Sequence, residues 1–175
     1  MSTERLVIRL VEPDDVCEVI DYDRRNAEHL APWEPARDAA MYDRDKRRQS
    51  LARRRQDADA NRGYAFIAKL AGSERIVAMI NLSNVVRGAF QACHLGYSVD
   101  SEYEGKGIAA EAIAAVVDFA FETLQLHRVM GNYQPRNERS GRLLRRLGFA
   151  HEGYARDYLF INGAWRDHVL TSKVK

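Results

Sequence analysis

The sequence has few cysteines, no long apolar run and almost no net charge, and each shortage excludes a class of protein. Only Cys17 and Cys93 occur, far apart and without metal-ligand spacing, so neither a disulfide framework nor a zinc site is predicted. Both are expected to be buried thiols in a reducing compartment. The longest apolar stretch, residues 108–121, is interrupted by Glu111 and Asp118, and nothing near the N-terminus resembles a signal peptide. A cytoplasmic protein without a metal ion or a membrane span is therefore expected.

What is present is the composition of a folded domain. The chain has 175 residues, of which 46% are hydrophobic and 30% charged, enough to bury a core and still form a ligand cleft. No repeat, linker or low-complexity tract divides it, so one domain over residues 1–175 is predicted. The net charge of +2 identifies no partner, and the sequence makes no prediction of oligomeric state.

Hydrophobic patterning predicts strands alternating with helices. A short helix is expected from Pro13, and the strongest helical pattern covers residues 108–124, where Glu111, Asp118 and Glu122 share one narrow stripe. Further helices are predicted at residues 41–60 and 137–147, and strands at residues 5–10, 64–70, 75–82, 94–99, 128–133, 159–161 and 168–171. This order predicts an α+β (mixed α/β) fold in which helices flank a sheet.

A glycine-rich segment, EGKGIA at residues 104–109, lies between a predicted strand and the long helix. Glycines let backbone N–H groups approach an anion closely, and a helix start adds unsatisfied donors and partial positive charge. The segment is interpreted either as a phosphate-binding loop or as a tight turn without a ligand. It is neither a Walker loop nor a dinucleotide fingerprint, because Gly-Lys-Ser/Thr and a third glycine are missing.

A second segment, NYQPRNERS at residues 132–140, precedes a leucine-rich helix. Asn137 can cap that helix, with Ser140 in the first turn. By themselves these residues are explained as well by a helix cap as by a ligand site.

Together, in this order and at this separation, the two segments resemble the GNAT superfamily of acyl-coenzyme A N-acetyltransferases. The family loop has Gln or Arg, two residues, Gly, one residue, then Gly or Ala, and it holds the pyrophosphate of coenzyme A. Gly107 and Ala109 match that pattern, whereas Glu104 occupies the Gln/Arg position. Since a carboxylate beside pyrophosphate is unfavourable, Glu104 is expected to point to solvent or to pair with Lys106.

The resemblance implies a GNAT fold, with a central mixed, mostly antiparallel sheet flanked by helices, and acetyl-coenzyme A as the cosubstrate. The strand at residues 94–99 resembles the one whose backbone pairs with pantetheine and polarises the thioester, and Asn137 matches an asparagine that binds the pantetheine arm. The implied cofactor-binding residues are Tyr97, Ser98, Val99, Gly105, Lys106, Gly107, Ile108, Ala109 and Asn137.

Three further segments resemble the RimJ and RimL group of ribosomal-protein alanine N-acetyltransferases. They are LAPWEP at residues 30–35, EGY at 152–154 and WRDH at 165–168, and the likeness covers nearly the whole chain. It implies acetylation of the α-amine of a protein that begins with alanine or serine, with a ribosomal protein as the implied acceptor. The implied substrate-binding residues are Trp33, Glu34, His94, Tyr133 and Trp165.

Thioester aminolysis needs a proton for the departing thiolate. Many family members supply it from a tyrosine seven residues beyond the asparagine, but that position is Leu144 here. Ser140 is the predicted acid, because a serine three residues beyond the asparagine has this role in the RimL-like branch. The alternative is that Ser140 only helps to cap the helix.

The general base is less defined. Glu102 is the candidate nearest to the position of a proposed family base, although the aligned residue is Ser101, and His94 and Glu34 are alternatives. A strong base is not required for an α-amine, whose reference pKa of about 7.7–8.0 lies far below the value of about 10.4 for lysine. The shortage of an obvious base therefore favours an N-terminal acceptor over a lysine.

A basic region between residues 44 and 55 offers a different interpretation. It is either a solvated helix face or a docking surface for an acidic protein or ribosomal RNA, without the interleaved aromatics of single-strand binders. The alternative functions are acetylation of a small amine, such as an antibiotic or polyamine, and a non-catalytic role in ribosome or RNA association. The basic residues are Arg44, Lys46, Arg47, Arg48, Arg53, Arg54 and Arg55.

Overall fold

The computed structural model describes residues 1–36 and 38–175, and within this part seven strands form one sheet. The strands are β1 (Leu6–Leu10), β2 (Tyr64–Leu70), β3 (Ile76–Val86), β4 (Ala92–Val99), β5 (Arg128–Met130), β6 (Ala150–Ile161) and β7 (Ala164–Val174). Their order across the sheet is β1-β2-β3-β4-β5-β7-β6, and only β4 and β5 pair in parallel. The predicted mixed, mostly antiparallel sheet is confirmed.

Helices cover both faces of this sheet. They are α1 (Val16–Arg25), α2 (Ala27–Leu30), α3 (Arg44–Asp59), α4 (Ile108–Asp118) and α5 (Glu138–Arg146). On β2, Phe66 packs into the core that contains Ile113 of α4, whereas the next residue, Ile67, packs with Val19 of α1 and Leu51 of α3. Because successive side chains of a strand point to opposite faces, the apolar run in β2 serves both layers.

The sheet divides between β4 and β5. Their parallel pairing extends only over residues 92–94 of β4 and 128–130 of β5, after which β5 ends and β4 continues to Val99. β4 remains paired to β3 on its other side through Val99. The far half of β4 thus presents one backbone edge to a gap in the sheet.

Several elements differ from the predictions. The helix predicted over residues 108–124 is α4 followed by a π-helical turn, Phe119–Thr123. The last two strands are much longer than predicted, because β6 is an edge strand with mostly exposed side chains and its pairing to β7 shifts twice, which hides the usual alternation. The short α2 was not predicted.

The two cysteines differ in environment. Cys93 is buried in β4, where burial raises the pKa of its thiol to about 12, whereas Cys17 on α1 is exposed. The prediction that both are buried was wrong for Cys17, which lies on the solvent side of an amphipathic helix. Over residues 1–36 and 38–175, no helix is long and apolar enough to cross a bilayer, and no group of three or more His, Cys, Asp or Glu side chains is arranged to hold a metal ion.

Candidate active site

Two clefts meet at the gap in the sheet. The first, of about 450 Å³, lies between the glycine-rich segment and α5, and the second, of about 560 Å³, lies between β4 and the β6–β7 hairpin. We call them the loop cleft and the hairpin cleft. Both are lined by Trp33, Glu34, Tyr97, Ser98, Asn137 and Ser140, which define the junction. All six are among the predicted cofactor, substrate or catalytic residues, which come from different segments of the sequence.

The glycine-rich segment turns directly into α4. Gly105 and Gly107 have φ of 71° and 80°, left-handed values that favour glycine, and Gly107 is the N-cap of α4. The first turn of a helix leaves N–H donors without intrahelical partners, and these can bind an anion in the loop cleft. Arg5 supports the loop from behind, donating from Nη1 to the Lys106 carbonyl at 2.8 Å and from Nε to Glu111 at 2.7 Å.

The charges of the loop are arranged differently from the prediction. Glu104 pairs with Nε2 of His29 at 3.1 Å and with Nη1 of Arg139 at 2.5 Å, and its side chain is only 23% exposed. The expected alternatives, solvent or Lys106, were therefore wrong, because α2 and α5 bring two basic groups closer. The Lys106 ammonium lies 5.2 Å from the centroid of the Tyr103 ring and does not line the loop cleft.

An arginine stripe on α5 completes the loop cleft, and the sequence analysis missed it. Arg139, Arg142 and Arg146 all line the cleft. Their spacing of three and then four residues, visible in the sequence, places them on one face of a helix. The loop cleft therefore offers several positive charges beside free helix-terminal donors, an arrangement suited to a ligand with several phosphates.

Ser140 lies at the start of α5, where two hydrogen bonds fix its surroundings. Its backbone N–H donates to Oδ1 of Asn137 at 3.1 Å, so Asn137 is the N-cap of α5, and the cap uses the amide oxygen rather than the NH2 group. The Ser140 Oγ lies 2.5 Å from the Tyr97 Oη. Leu144, in the position of the missing tyrosine, is buried in the core and offers no hydroxyl.

A clamp holds the Trp33 segment over the junction. Arg136 donates from Nη2 to the Pro32 carbonyl at 2.9 Å, and its guanidinium carbon lies 5.2 Å from the centroid of the Trp33 ring. Gln134 donates to the same carbonyl at 3.3 Å. These contacts, which the sequence did not predict, join the segment after α2 to the segment before α5.

The hairpin cleft differs in charge from the loop cleft. Among its lining residues in the described part of the chain, Glu34 is the one with a fixed charge, and the other polar groups are amides, hydroxyls and imidazoles. His94 lines the cleft with its Nδ1 buried and, among residues 1–36 and 38–175, without a hydrogen-bond partner, and burial lowers its pKa. Tyr133 lies beside them and packs so closely on Gly141 that a Cβ there would come within 2.8 Å of the ring.

Three predicted residues lie outside both clefts: Lys106, whose position is described above, Glu102 and Trp165. Glu102 is 65% exposed and pairs with Nη1 of Arg75 at 3.0 Å, away from the residues that line the junction. Trp165 is 60% exposed and packs edge to face on Phe160, with ring centroids 5.7 Å apart. Phe160 lines the hairpin cleft, so Trp165 lies one residue beyond its rim.

The basic region on α3 is largely occupied by contacts within the chain. Arg47 pairs with Asp23 at 2.6 Å inside the protein, and Arg54 donates to Asn81 at 2.7 Å. Arg48 pairs with Asp14, and Arg55 with Glu12 and Asp59. Four of the seven basic residues therefore have partners within the chain, which reduces the positive charge that α3 offers to another molecule.

Three features together are typical of one class of enzyme, the acyltransferases. They are the divided sheet, the glycine turn before α4 and the capped α5. The family model described as acetyltransferase (GNAT) domain matches residues 5–150, and the chain belongs to this family, as its sequence predicts.

Individual relatives are similar to this chain over nearly its whole length. The chain is 43% identical to the [ribosomal protein uS5]-alanine N-acetyltransferase of Escherichia coli over 98% of this chain and 89% of the relative. The crystal structure of ribosomal-protein-S5-alanine acetyltransferase from Vibrio fischeri superposes with a TM-score of 0.94 and 41% identity, covering 99% of this chain and 95% of that one. Mycobacterium smegmatis RimJ, solved in complex with CoA-disulfide, gives a TM-score of 0.89 at 31% identity, covering 97% and 81%.

Proposed function

We propose that the protein transfers an acetyl group from acetyl-coenzyme A to the α-amine of a protein N-terminus of the alanine or serine type, with a cytoplasmic ribosomal protein as the natural acceptor. The observation that carries the proposal is the meeting, at Ser140, of an arginine-lined cleft and a cleft whose described lining has a single fixed charge, Glu34. The relatives from E. coli and V. fischeri, which carry this activity in their names, support the choice of acceptor.

The loop cleft fits coenzyme A in its chemistry. The turn at Gly105 and Gly107 suits the pyrophosphate, and the arginine stripe supplies charge for the phosphates. The unpaired edge of β4, from Tyr97 to Val99, can hydrogen-bond an extended pantetheine arm, and the Asn137 amide faces the same path. The M. smegmatis relative was solved in complex with CoA-disulfide, which supports coenzyme A as the ligand.

The hairpin cleft suits one ammonium better than several. A polyamine carries several separated cations and would need several carboxylates, whereas the described lining of this cleft offers the one at Glu34. An α-amine also ionises with a reference pKa of about 7.7–8.0, so an appreciable fraction is neutral near pH 7.5. A cleft without an obvious strong base therefore favours an N-terminus over a lysine or a polyamine.

The proposed chemistry is direct attack. The neutral amine attacks the thioester carbonyl carbon, a C–N bond forms, and the carbonyl oxygen becomes an oxyanion that backbone N–H groups on the edge of β4 can stabilise. The C–S bond then breaks as the Ser140 hydroxyl gives a proton to the departing sulfur. The amine loses its extra proton to His94 or to water, and Ser140 regains a proton through water, so the enzyme returns to its starting state. Burial keeps His94 neutral near pH 7, so it can accept that proton.

A contact with ribosomal RNA through α3 is a separate part of the proposal. It would rest on Arg44, Lys46 and Arg53, which are exposed on α3. Three cations give a weak and strongly salt-dependent contact. Changing all three to glutamine should reduce the salt dependence of RNA binding without changing peptide acetylation, and unchanged RNA binding would remove α3 from the interface.

A peptide panel tests the proposed function. Peptides that begin with Ala, Ser or Met, α-blocked lysine peptides and spermidine are each incubated with the enzyme and acetyl-coenzyme A, and the products are measured by mass spectrometry. We expect acetylation of free Ala and Ser N-termini alone. Acetylation of spermidine or blocked lysine peptides, with free N-termini unchanged, would overturn the proposed acceptor.

A further inference from the structure

We propose that Tyr97 is a positioning residue, whose hydroxyl donates a hydrogen bond to the Ser140 Oγ and thereby directs the Ser140 hydrogen into the junction of the two clefts. The inference rests on the proposed acetyl transfer and assigns a side-chain role to Tyr97, beyond any cofactor contact of its backbone. The two oxygens lie 2.5 Å apart, within the range of a strong O–H···O hydrogen bond.

The direction of this hydrogen bond follows from the surroundings of the phenol. Tyr97 is half-buried and packs against the core. Among the hydrogen bonds of residues 1–36 and 38–175, its hydroxyl has one partner, the Ser140 Oγ. A phenol that did not donate there would keep an unpaired O–H in a poorly solvated place, at a cost of about 1–3 kcal/mol. Donation by Tyr97 is therefore the favoured arrangement.

The hydrogen of Ser140 is then left for a ligand. A serine in a helix commonly donates to the carbonyl three or four residues earlier. Here the Asn137 carbonyl accepts from the Gly141 N–H at 3.2 Å, and the described part of the chain has no hydrogen bond from the Ser140 hydroxyl to a backbone carbonyl. Since its oxygen accepts from Tyr97 and the residue lines both clefts, the remaining O–H points toward the place where the sulfur would lie.

The elements that carry the pair are held in place. Tyr97 lies on β4 opposite Ile80 of β3, and Ser140 lies in the first turn of α5, fixed by the Asn137 cap. Burial raises the pKa of Tyr97 to about 12, so the phenol keeps its hydrogen throughout the working pH range of an acetyltransferase. A serine hydroxyl rotates freely without such a partner, so loss of the phenol should spread Ser140 over unproductive orientations.

The test uses Tyr97→Phe, Ser140→Ala and the double variant, with Tyr64→Phe as the matched control. The Tyr64 hydroxyl donates to Oδ1 of Asn61 at 2.7 Å, and Tyr64→Phe removes this hydrogen bond. Tyr64 lies outside both clefts. Thermal unfolding verifies the folded state of each variant. Turnover is measured by release of coenzyme A with an alanine-starting peptide, and acetyl-coenzyme A affinity by calorimetry.

We expect Tyr97→Phe to lower kcat about 10-fold with the Kd of acetyl-coenzyme A within about twofold, and the double variant to be no slower than Ser140→Ala. Tyr64→Phe should match the unmodified enzyme. Wild-type turnover in Tyr97→Phe, a multiplicative loss in the double variant, or a loss confined to acetyl-coenzyme A affinity would overturn the positioning role. If the unmodified enzyme acetylates a free amine and no peptide, the proposed acceptor fails, and the same variants assayed with that amine decide the role of Tyr97 separately.

Discussion

The loop cleft and the hairpin cleft share six residues but differ in charge and in construction. Arginines of α5 and the positive end of α4 make the loop cleft suited to a polyanion, whereas the described lining of the hairpin cleft has one carboxylate among neutral polar groups. In the proposed reaction, charge therefore assigns the two substrates to opposite sides of Ser140, and the residues that both clefts share carry the chemistry.

The largest effect should come from the junction itself. Ser140→Ala is expected to lower kcat on the order of 100-fold, because the departing thiolate loses its proton donor, while the Kd of acetyl-coenzyme A stays nearly unchanged. Steady-state kinetics and calorimetry measure the two constants. Unchanged kcat would reduce Ser140 to a helix-capping residue.

Loss of an arginine from the stripe on α5 should weaken the binding of acetyl-coenzyme A only. Arg142→Ala is expected to weaken acetyl-coenzyme A binding about 10-fold, or roughly 1.4 kcal/mol, with little change in kcat. Its matched control is Arg145→Ala, since Arg145 is on the same helix but does not line the loop cleft. Calorimetry at two salt concentrations checks this, and equal effects of the two substitutions would contradict a specific phosphate contact.

Loss of the Glu34 carboxylate at the junction should weaken the binding of the peptide substrate. Glu34→Gln is expected to raise KM for an alanine-starting peptide about 5-fold, because the cleft loses its fixed negative charge, with acetyl-coenzyme A affinity preserved. Glu28→Gln on the exposed side of α2 is the control. A change confined to acetyl-coenzyme A binding would mean that the two clefts are not divided by charge.

The pH dependence of kcat/KM should reflect protonation of the acceptor amine rather than protonation of His94. Burial lowers the pKa of His94 below its ordinary value near 6.5, so the imidazole is already neutral above that pH and gains a proton only in more acidic solution. As pH falls from about 8 toward 6.5, kcat/KM for the peptide should decline because the α-amine becomes protonated. His94→Gln should leave the midpoint of this decline in place, and a midpoint that moves would assign the titration to His94.

The smallest effect is expected at Glu102. Its carboxylate is exposed and paired with Arg75 outside both clefts, so Glu102→Gln should leave the pH–rate profile unchanged within about twofold. A displaced acidic limb would restore Glu102 as the general base.

The sequence predicted the loop cleft better than the hairpin cleft, for a physical reason. The glycine turn and the Asn137 cap are local, so their residue types reveal the backbone conformation they require. The partners of Glu104 come from α2 and α5, and the clamp of Arg136 on Trp33 joins residues about one hundred positions apart. Contacts of this kind follow from tertiary packing, which no local pattern specifies.

Prediction of the strands from the sequence was limited in the same way. β2 was predicted at its observed bounds because its apolar run fills both faces of the sheet, whereas β6 lies at an edge and exposes most of its side chains. The arginine stripe on α5 was accessible from its spacing alone. A role in binding phosphates could be proposed only once the structure placed that face beside the glycine turn.

A bisubstrate analogue, in which the α-nitrogen of an alanine-starting peptide is joined through an acetyl-like link to the sulfur of coenzyme A, should occupy both clefts at once. Its inhibition constant is measured for the unmodified enzyme, Arg142→Ala and Glu34→Gln. We predict competition with both substrates and weaker inhibition in both variants. Competition with acetyl-coenzyme A alone, together with full inhibition of Glu34→Gln, would contradict the meeting of two oppositely charged clefts at Ser140.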